Sequence, residues 1–219
     1  MNALVNDLGA LMSALVLFNL CLTASAIAIA LPIACLFAVG RLSRQTLVYY
    51  PATAYVNVLR SSPLLMIMFW AYYTGPMITG APTSAYTAAL IALAAFEVAY
   101  FTELVLAGLL SISTGQRGAA LAVGSRPGQA MRFVILPQAL RRMLPSLLSQ
   151  SIIAFQDSTI ASVIGVSDIF AVTNIISARE QRPIELYTAL AVIFFALCYA
   201  LSKLVRVLEA RVNARTAGA

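Results

Sequence analysis

The sequence predicts an all-α membrane protein with about five transmembrane helices, and three observations predict it. Of its 219 residues, 61% are hydrophobic and only 10% charged, too little polar surface for a water-soluble globule of ordinary composition. Several uncharged stretches reach the roughly 20 apolar residues that a helix needs to cross the hydrocarbon core. Lys and Arg are gathered in short segments between those stretches, where they set orientation in the membrane. In lipid every backbone polar group must be bonded within the chain, and runs of this length achieve that as helices rather than as a barrel.

No charge occurs from Leu8 to Gly40. This is more than one span requires, so a short interfacial lead-in precedes a first span near Asn19 to Val39, closed by Arg41 and Arg44. The next uncharged run, Ser61 to Phe96, is interrupted by Thr74-Gly75-Pro76 through Gly80-Ala81-Pro82. These breakers divide it into a second span, about Val56 to Tyr73, and a third, Ala85 to Leu110. A polar segment of about 111–142 follows, then a fourth span near Leu144 to Val166, a fifth near Glu185 to Val207, and a basic tail. Arg41, Arg44, Arg60, Arg117, Arg126, Arg132, Arg141, Arg142, Lys203, Arg206, Arg211 and Arg215 then fall on one side, against Arg179 and Arg182 on the other. The positive-inside rule puts the N-terminus outside and the C-terminus in the cytoplasm, which an odd number of spans satisfies. Asp7 is the only charge ahead of the first apolar run, so no cleaved secretory signal is expected. Neither short repeats nor inverted halves are visible, and one membrane domain over 1–219 is expected.

Several functions are disfavoured by what these residues are. The net charge of +6 lies between spans and forms no basic stripe for nucleic acid. There is no His, and Cys21, Cys35 and Cys198 lie in apolar runs without metal-ligand spacing, so they read as lipid-facing or packed thiols and no metal site is expected. Lys203, the one lysine, follows no Gly-rich loop, so the chain has no phosphate cradle of its own. No nucleophile and base pair convincingly for an intramembrane enzyme either.

The polar segment carries the strongest pattern. From Gly115 to Arg141 it reads as helix, turn, helix. Gly124 suits the left-handed position that ends a first short helix, Ser125 caps a second, Pro127 fits its first turn, and Pro137 stops it. Small residues at Gly118, Ala119 and Ala120 let a partner surface approach closely. With Ala119, Ala120, Gly124, Leu136 and Pro137 at these spacings, the segment resembles the EAA loop of ABC-importer permeases. Gly118 stands where that family usually has Glu, and Val134 where it has Ile. Ala54-Tyr55-Val56-Asn57-Val58-Leu59-Arg60-Ser61-Ser62-Pro63-Leu64-Leu65 and Phe155-Gln156-Asp157-Ser158-Thr159 resemble the branch for polar amino acids, with coverage from about residue 20 to residue 205. Phe96-Glu97-Val98-Ala99-Tyr100 and Phe155-Gln156-Asp157 are closest in wording to glutamate and aspartate permeases.

The resemblance implies a multi-pass permease of the bacterial inner membrane, in which Gly118, Ala119, Ala120, Gly124, Ser125, Arg126, Pro127, Leu136 and Pro137 form a coupling helix and its surroundings, docked in a groove of an ATPase. ATP and Mg would be held by that partner ATPase dimer and no cofactor by this chain. The other implied partners are a second permease subunit, identical or homologous, a substrate-binding protein outside, and the amino acid itself.

Ionisable groups inside spans are expensive and so point to function. On an unbroken fourth helix Asp157 shares a face with Gln150, Ile153, Ala154, Ala161 and Ile164, leaving room for a ligand. Its carboxylate is matched to the α-ammonium of an amino acid, with Gln156, Ser158 and Thr159 as neutral partners at a loosened turn. An inter-helix hydrogen bond is the alternative for Asp157. Glu97 lies deeper in its span and is a further pathway candidate, while Glu103 is near enough to the loop to pair with an Arg; the family's Arg three residues later is Leu106 here. Arg60 is a candidate for a substrate carboxylate, or an interfacial anchor. Phe69, Trp70, Tyr72 and Tyr73 fit an outer aromatic belt. The competing readings are an importer for neutral or basic amino acids, and an ion-coupled carrier using the same carboxylates.

Overall fold

The computed structural model describes residues 2–217, with side chains for residues 7–210; Arg211 and Arg215 of the expected basic tail lie outside the described side chains. All regular secondary structure among the described residues is helical, and four helices are long and apolar enough to cross a membrane: Asp7–Arg41, Ala85–Leu110, Pro127–Ile164 and Pro183–Ala210.

The first rod is longer than the sequence pattern implied. Helix α1 (Asn2–Ala14) passes through a π turn, Leu15–Leu20, into α2 (Cys21–Arg41). The expected lead-in is therefore the start of one helix, whose 35 residues from Asp7 to Arg41 extend about 52 Å. Along α2, Ala26, Ala30, Ala34 and Ala38 are all fully buried. Their spacing of four puts four methyl groups in a row on one face, so the backbone comes close to α5 (Ala85–Leu110), against which it packs.

The expected second span is corrected. Val56 to Tyr73 does not form one helix but contributes to two, α3 (Thr46–Arg60) and α4 (Leu64–Thr79), joined at Ser61-Ser62-Pro63. Pro63 has no N–H to donate and holds an extended conformation, φ −64° and ψ 133°, and it biases Ser62 away from helical geometry. At 15 and 16 residues, each helix falls short of the roughly 20 needed to cross alone. Helix α4 ends at Gly80, whose φ of 69° lies in the left-handed region.

Helix α5 keeps the limits read from sequence, Ala85–Leu110. Ser84 caps it, accepting from the Thr87 N–H at 3.1 Å. It is the central helix, in contact with α2, α3, α4 and the later α8 (Leu136–Asp157). Sixty-one per cent of its most apolar window is buried, against 11% for Pro183–Ala210, so the last helix is peripheral and turns most of its surface outward. Leu36, Trp70 and Phe195, each about two-thirds exposed or more, face where lipid would lie.

The fourth long helix corrects a second expectation. Helix α6 (Thr114–Ala122) is followed by α7 (Pro127–Ala130), a π turn at Met131–Ile135, α8 and a 3-10 turn at Ser158–Ile164. Pro137 does not stop this rod. It lies in the first turn of α8, directly after the π turn, where wider winding displaces the carbonyl its ring would strike. Helix α9 (Ile169–Glu180) was not foreseen; at 12 residues it leaves no span-length signal. Gly165, at φ 94°, opens the turn before it, and Gln181, at φ 55°, closes it. Helix α10 (Pro183–Ala217) completes the chain. Cys21 and Cys35 are exposed and Cys198 is buried.

The crossing of α5 and α8 is set by Gly108, where an added Cβ would lie 2.7 Å from the Met143 Cβ. Gly108→Ala should cost about 1–3 kcal/mol by forcing the helices apart, measured as a lower thermal midpoint of the purified protein. Met143→Ala added to it should not rescue, because the clashing Cβ remains.

Candidate functional site

Polar groups form three layers in the bundle, two of them buried and the third partly exposed. In the middle layer, Glu97 on α5 is fully buried and receives Gln150 Nε2 at 3.1 Å on Oε2 and 3.4 Å on Oε1. Gln150, on α8, is itself buried. About two turns further along α8 is Asp157, half-buried. Among the described residues no hydrogen bond or ion pair engages the Asp157 carboxylate. Of these two carboxylates, Glu97 is satisfied by an amide and Asp157 is available.

The run Gln156-Asp157-Ser158-Thr159 does not converge on one spot. At Ser158 the helix tightens into a 3-10 turn, in which residues three apart eclipse and consecutive ones fan outward. Gln156 and Thr159 therefore line one cavity of about 390 Å³ with Phe170, Tyr187, Leu190, Ala191 and Phe194. Ser158 turns into the protein, fully buried, and accepts from Asn19 Nδ2 at 3.0 Å. Asp157 lines neither that cavity nor the Asn19 contact.

Ser158 belongs to a layer that sequence reasoning missed. Asn19 and Asp168 are also buried there, with Asn19 Nδ2 3.4 Å from Asp168 Oδ2. Asn19 was readable as an amide inside an uncharged apolar run, yet its partners lie more than a hundred residues away and carry no local signal.

The third layer takes Arg60 away from Glu97 and Asp157. Arg60 Nη1 is 2.9 Å from Glu103 Oε1, and Arg41 Nη1 is 2.8 Å from the same oxygen. The Arg60 guanidinium also lies 5.4 Å from the centre of the Tyr100 ring. Glu103 is nearly two turns along α5 from Glu97, about 9 Å. Its partners come from α2 and α3, which explains how Leu106 is accommodated in place of an arginine.

At the same end of the bundle is the helix-turn-helix. Helix α6 closes with Gly124 at φ 87°, the Gly124 N–H bonding Leu121 O at 3.0 Å and the Ser125 N–H bonding Ala120 O at 3.1 Å. That pair of bonds satisfies the last carbonyls of α6 and requires the left-handed glycine. Ser125 is consequently not the cap of the second helix. Arg126 holds that position with extended backbone, its N–H donating to Gln129 Oε1 at 2.9 Å, and Pro127 begins the helix. Gly118 and Ala119 are exposed and Ala120 is buried; a Cβ at Gly118 would meet nothing within 4 Å, so this departure leaves the surface open rather than reshaping it. Leu121, Val123, Phe133, Leu136 and Leu140 are exposed apolar neighbours, and Arg142 Nη1 bonds Ser111 O at 2.6 Å across the base of the loop.

Lipid-facing helices, buried carboxylates and a two-helix excursion with apolar surface define the class as a polytopic membrane transport protein. The chain belongs to the family of binding-protein-dependent transport system inner membrane components, whose model matches residues 30–214. It is 36% identical over 217 residues, 96% of each chain, to the glutamate/aspartate import permease protein GltK of Escherichia coli O6:H1. It is 34% identical over 163 residues, 74% of each chain, to the glutamine transport system permease protein GlnP of Escherichia coli K12. Among solved structures, an amino acid ABC transporter with histidines matches with TM-score 0.88 and 33% identity, covering 95% of this chain and 97% of that one. The inward-facing MetNI methionine ABC transporter shares the fold, with TM-score 0.66 and 22% identity over 95% of this chain and 97% of that one. The chain is thus the permease subunit of an ABC importer for amino acids.

The shared carboxylate of Glu103 gives a graded test. Glu103→Gln strips the counter-charge from Arg41, whose side chain is only 14% exposed, and should cost about 3 kcal/mol. Arg60→Ala, with its side chain 42% exposed, should cost about 1 kcal/mol or less. Thermal midpoints of the two purified variants report the difference.

Proposed function

We propose that this permease imports glutamate and aspartate across a bacterial inner membrane, with Asp157 binding the α-ammonium group. The observation that carries the reading is the half-buried carboxylate of Asp157, which no described side chain engages, about two turns along α8 from Gln150. A carboxylate and an ammonium form a charge-assisted hydrogen bond stronger than a neutral one. The relative named for glutamate and aspartate, matched over 96% of both chains, supports the acidic class. Gln156 and Thr159 line a different cavity and take no part in the Asp157 contact. With α3 and α4 together supplying one further crossing, the number of spans is odd, the N-terminus lies outside and the C-terminus in the cytoplasm, which puts the helix-turn-helix on the side where ATP is available.

On this reading the chain, one membrane domain over 1–219, works with a second permease subunit, a substrate-binding protein and an ATPase dimer that holds ATP and Mg. Gly118, Ala119, Ala120, Gly124, Ser125, Arg126, Pro127, Leu136 and Pro137 form or support the surface that docks in the ATPase groove. The exposed apolar side chains there suit a helix-in-groove contact.

A second reading, import of neutral or basic amino acids, is favoured by the site's charge. Glu97 and Asp157 are both acidic, and Arg60, the cation weighed for a substrate carboxylate, is already engaged by Glu103. Labelled glutamate uptake in proteoliposomes, with the full set of partners and unlabelled amino acids as competitors, separates the two. ATP-dependent uptake competed by aspartate supports the acidic substrate; competition only by neutral or basic amino acids replaces it. Uptake driven by an ion gradient without the ATPase overturns the importer mechanism.

Asp157→Asn keeps the side chain's shape and should lower uptake per assembled complex by about tenfold or more, the worth of a hydrogen bond to a charged group. Wild-type uptake would end the ammonium assignment. Gly124→Ala meets no steric neighbour but places a Cβ at φ 87°, costing about 1 kcal/mol locally. Its expected signature is a lower substrate-stimulated rate of ATP hydrolysis in an otherwise assembled complex.

A further inference from the structure

The buried cluster around Asn19 joins three segments that are far apart in sequence. Asn19 and Ser158 have no exposed surface and Asp168 only 1%. Asn19 Nδ2 donates to Ser158 Oγ at 3.0 Å and lies 3.4 Å from Asp168 Oδ2, while Asn19 Oδ1 accepts the Ile169 N–H at 3.1 Å. Ser158 Oγ in turn donates to Phe155 O at 2.7 Å, and Asp168 Oδ1 caps α9 by accepting the Ala171 N–H at 2.8 Å. One side chain must therefore donate twice and accept once, which an amide does and a carboxylate does not. An Asp at position 19 would face the Asp168 carboxylate without a proton to share.

The cluster also falls where two helices depart from α geometry. Asn19 lies on the π turn of the first rod, and Ser158 opens the 3-10 turn of the fourth. Such turns leave backbone groups displaced from their usual partners. Thr23 Oγ1 takes up Asn19 O at 2.7 Å, and Thr173 Oγ1 takes up Ile169 O at 2.7 Å. At its other end α9 is tied to the same rod, because Arg179 Nη2 lies 2.8 Å and 2.9 Å from the two Asp7 oxygens. Between these ties Leu11, Leu15, Ile169 and Ile176 share one apolar cluster. Helix α9 thus lies antiparallel along the start of the first rod, pinned at both ends.

We propose that Asn19 is a positioning residue for transport: by holding Ser158 and the start of α9 to the first rod, it fixes the 3-10 turn that directly follows Asp157. A transport cycle that moves the fourth helix must then carry the first rod and α9 with that turn or break these bonds. The proposal rests on the chain being a permease and not on Asp157 binding ammonium. If Asp157→Asn transports normally, the ammonium assignment fails while the role of Asn19 is decided by its own variants.

The experiment exchanges the amide and the acid across the contact. Reconstituted with its ATPase and binding protein, Asn19→Asp should lower the amino acid moved per ATP hydrolysed, per assembled complex, by about tenfold, the order of one or two buried hydrogen bonds. In the double variant Asn19→Asp with Asp168→Asn, the amide at position 168 donates to the carboxylate at position 19, the Ser158 hydroxyl turns its proton from Phe155 O to that carboxylate, and each backbone N–H still finds an oxygen. That exchange should restore the ratio to within about threefold of wild type, since coupled residues are not additive. If Asn19→Asp does not assemble, Ser158→Ala decides, because it removes one acceptor without adding charge and should lower the ratio about threefold. The proposal is overturned by a wild-type ratio in Asn19→Asp or Ser158→Ala, even with fewer assembled complexes, since loss of assembly alone is what a purely structural residue would give. An exchange no better than Asn19→Asp alone overturns it as well.

Discussion

The close approach of α2 to α5 is the constraint on which the rest of this structure depends. In lipid there is no hydrophobic drive to bring two apolar helices together, so association rests on surface contact and on buried polar bonds. Fully buried Ala26, Ala30, Ala34 and Ala38 supply the contact: with nothing beyond Cβ on that face, backbone meets backbone. A larger residue anywhere along the row would lift the whole length of α2. Thr102 uses the same proximity, lying fully buried with Oγ1 3.4 Å from Ala34 O. Because α5 is fixed in this way, Glu97 and Glu103 are fixed with it, and the helices that answer them are brought to set places.

The three polar layers divide the work of holding the remaining helices. Asn19, Ser158 and Asp168 join the first rod to the fourth helix and α9; Glu97 and Gln150 join α5 to α8; Glu103 joins α5 to the ends of α2 and α3 through Arg41 and Arg60. The first two are buried and in the third Arg41 is mostly covered, so each holds a group that is costly if left unpaired. They differ in what they leave over. The Asn19 layer has each of its three side chains bonded, and the Glu103 layer places two cations on one carboxylate. Only the middle layer presents a carboxylate without a partner among the described residues, which is why substrate chemistry is assigned to Asp157 and not to the more deeply buried Glu97.

Much of this was legible in the sequence, and the failures share a cause. The third span was readable to the residue because Ser84 caps it and polar residues follow Leu110. Gly124 was readable because a left-handed helix end has a strong local signature. Pro63 and Pro137 were misjudged in opposite directions: one breaks a helix in the middle of an apolar run, and the other is carried inside a helix by a π turn that no local pattern announces. Burial of Asn19 and Asp168, and the capture of Arg60 by Glu103, are long-range facts that no local pattern in the sequence carries. The grouping of Gln156 through Thr159 failed because four neighbours on a 3-10 turn face different ways, a consequence of winding and not of residue type.

The correction at Pro137 changes what the fourth helix can transmit. A helix stopped there would leave the helix-turn-helix joined to the membrane bundle by a flexible link, and a push on α6 would be lost in it. The structure instead runs helically from Pro127 to Ile164, so the turn at Gly124 and the turn at Ser158 bracket one rod. From Pro127 to Asp157 it spans about 45 Å at α-helical rise. Small displacements pass along packed, rigid elements as displacements rather than as bending. On the importer reading, an ATPase that moves the loop therefore moves the Asp157 turn directly, and the polar contacts of Gln150 and Ser158 are where the rod meets parts of the bundle that have no such handle.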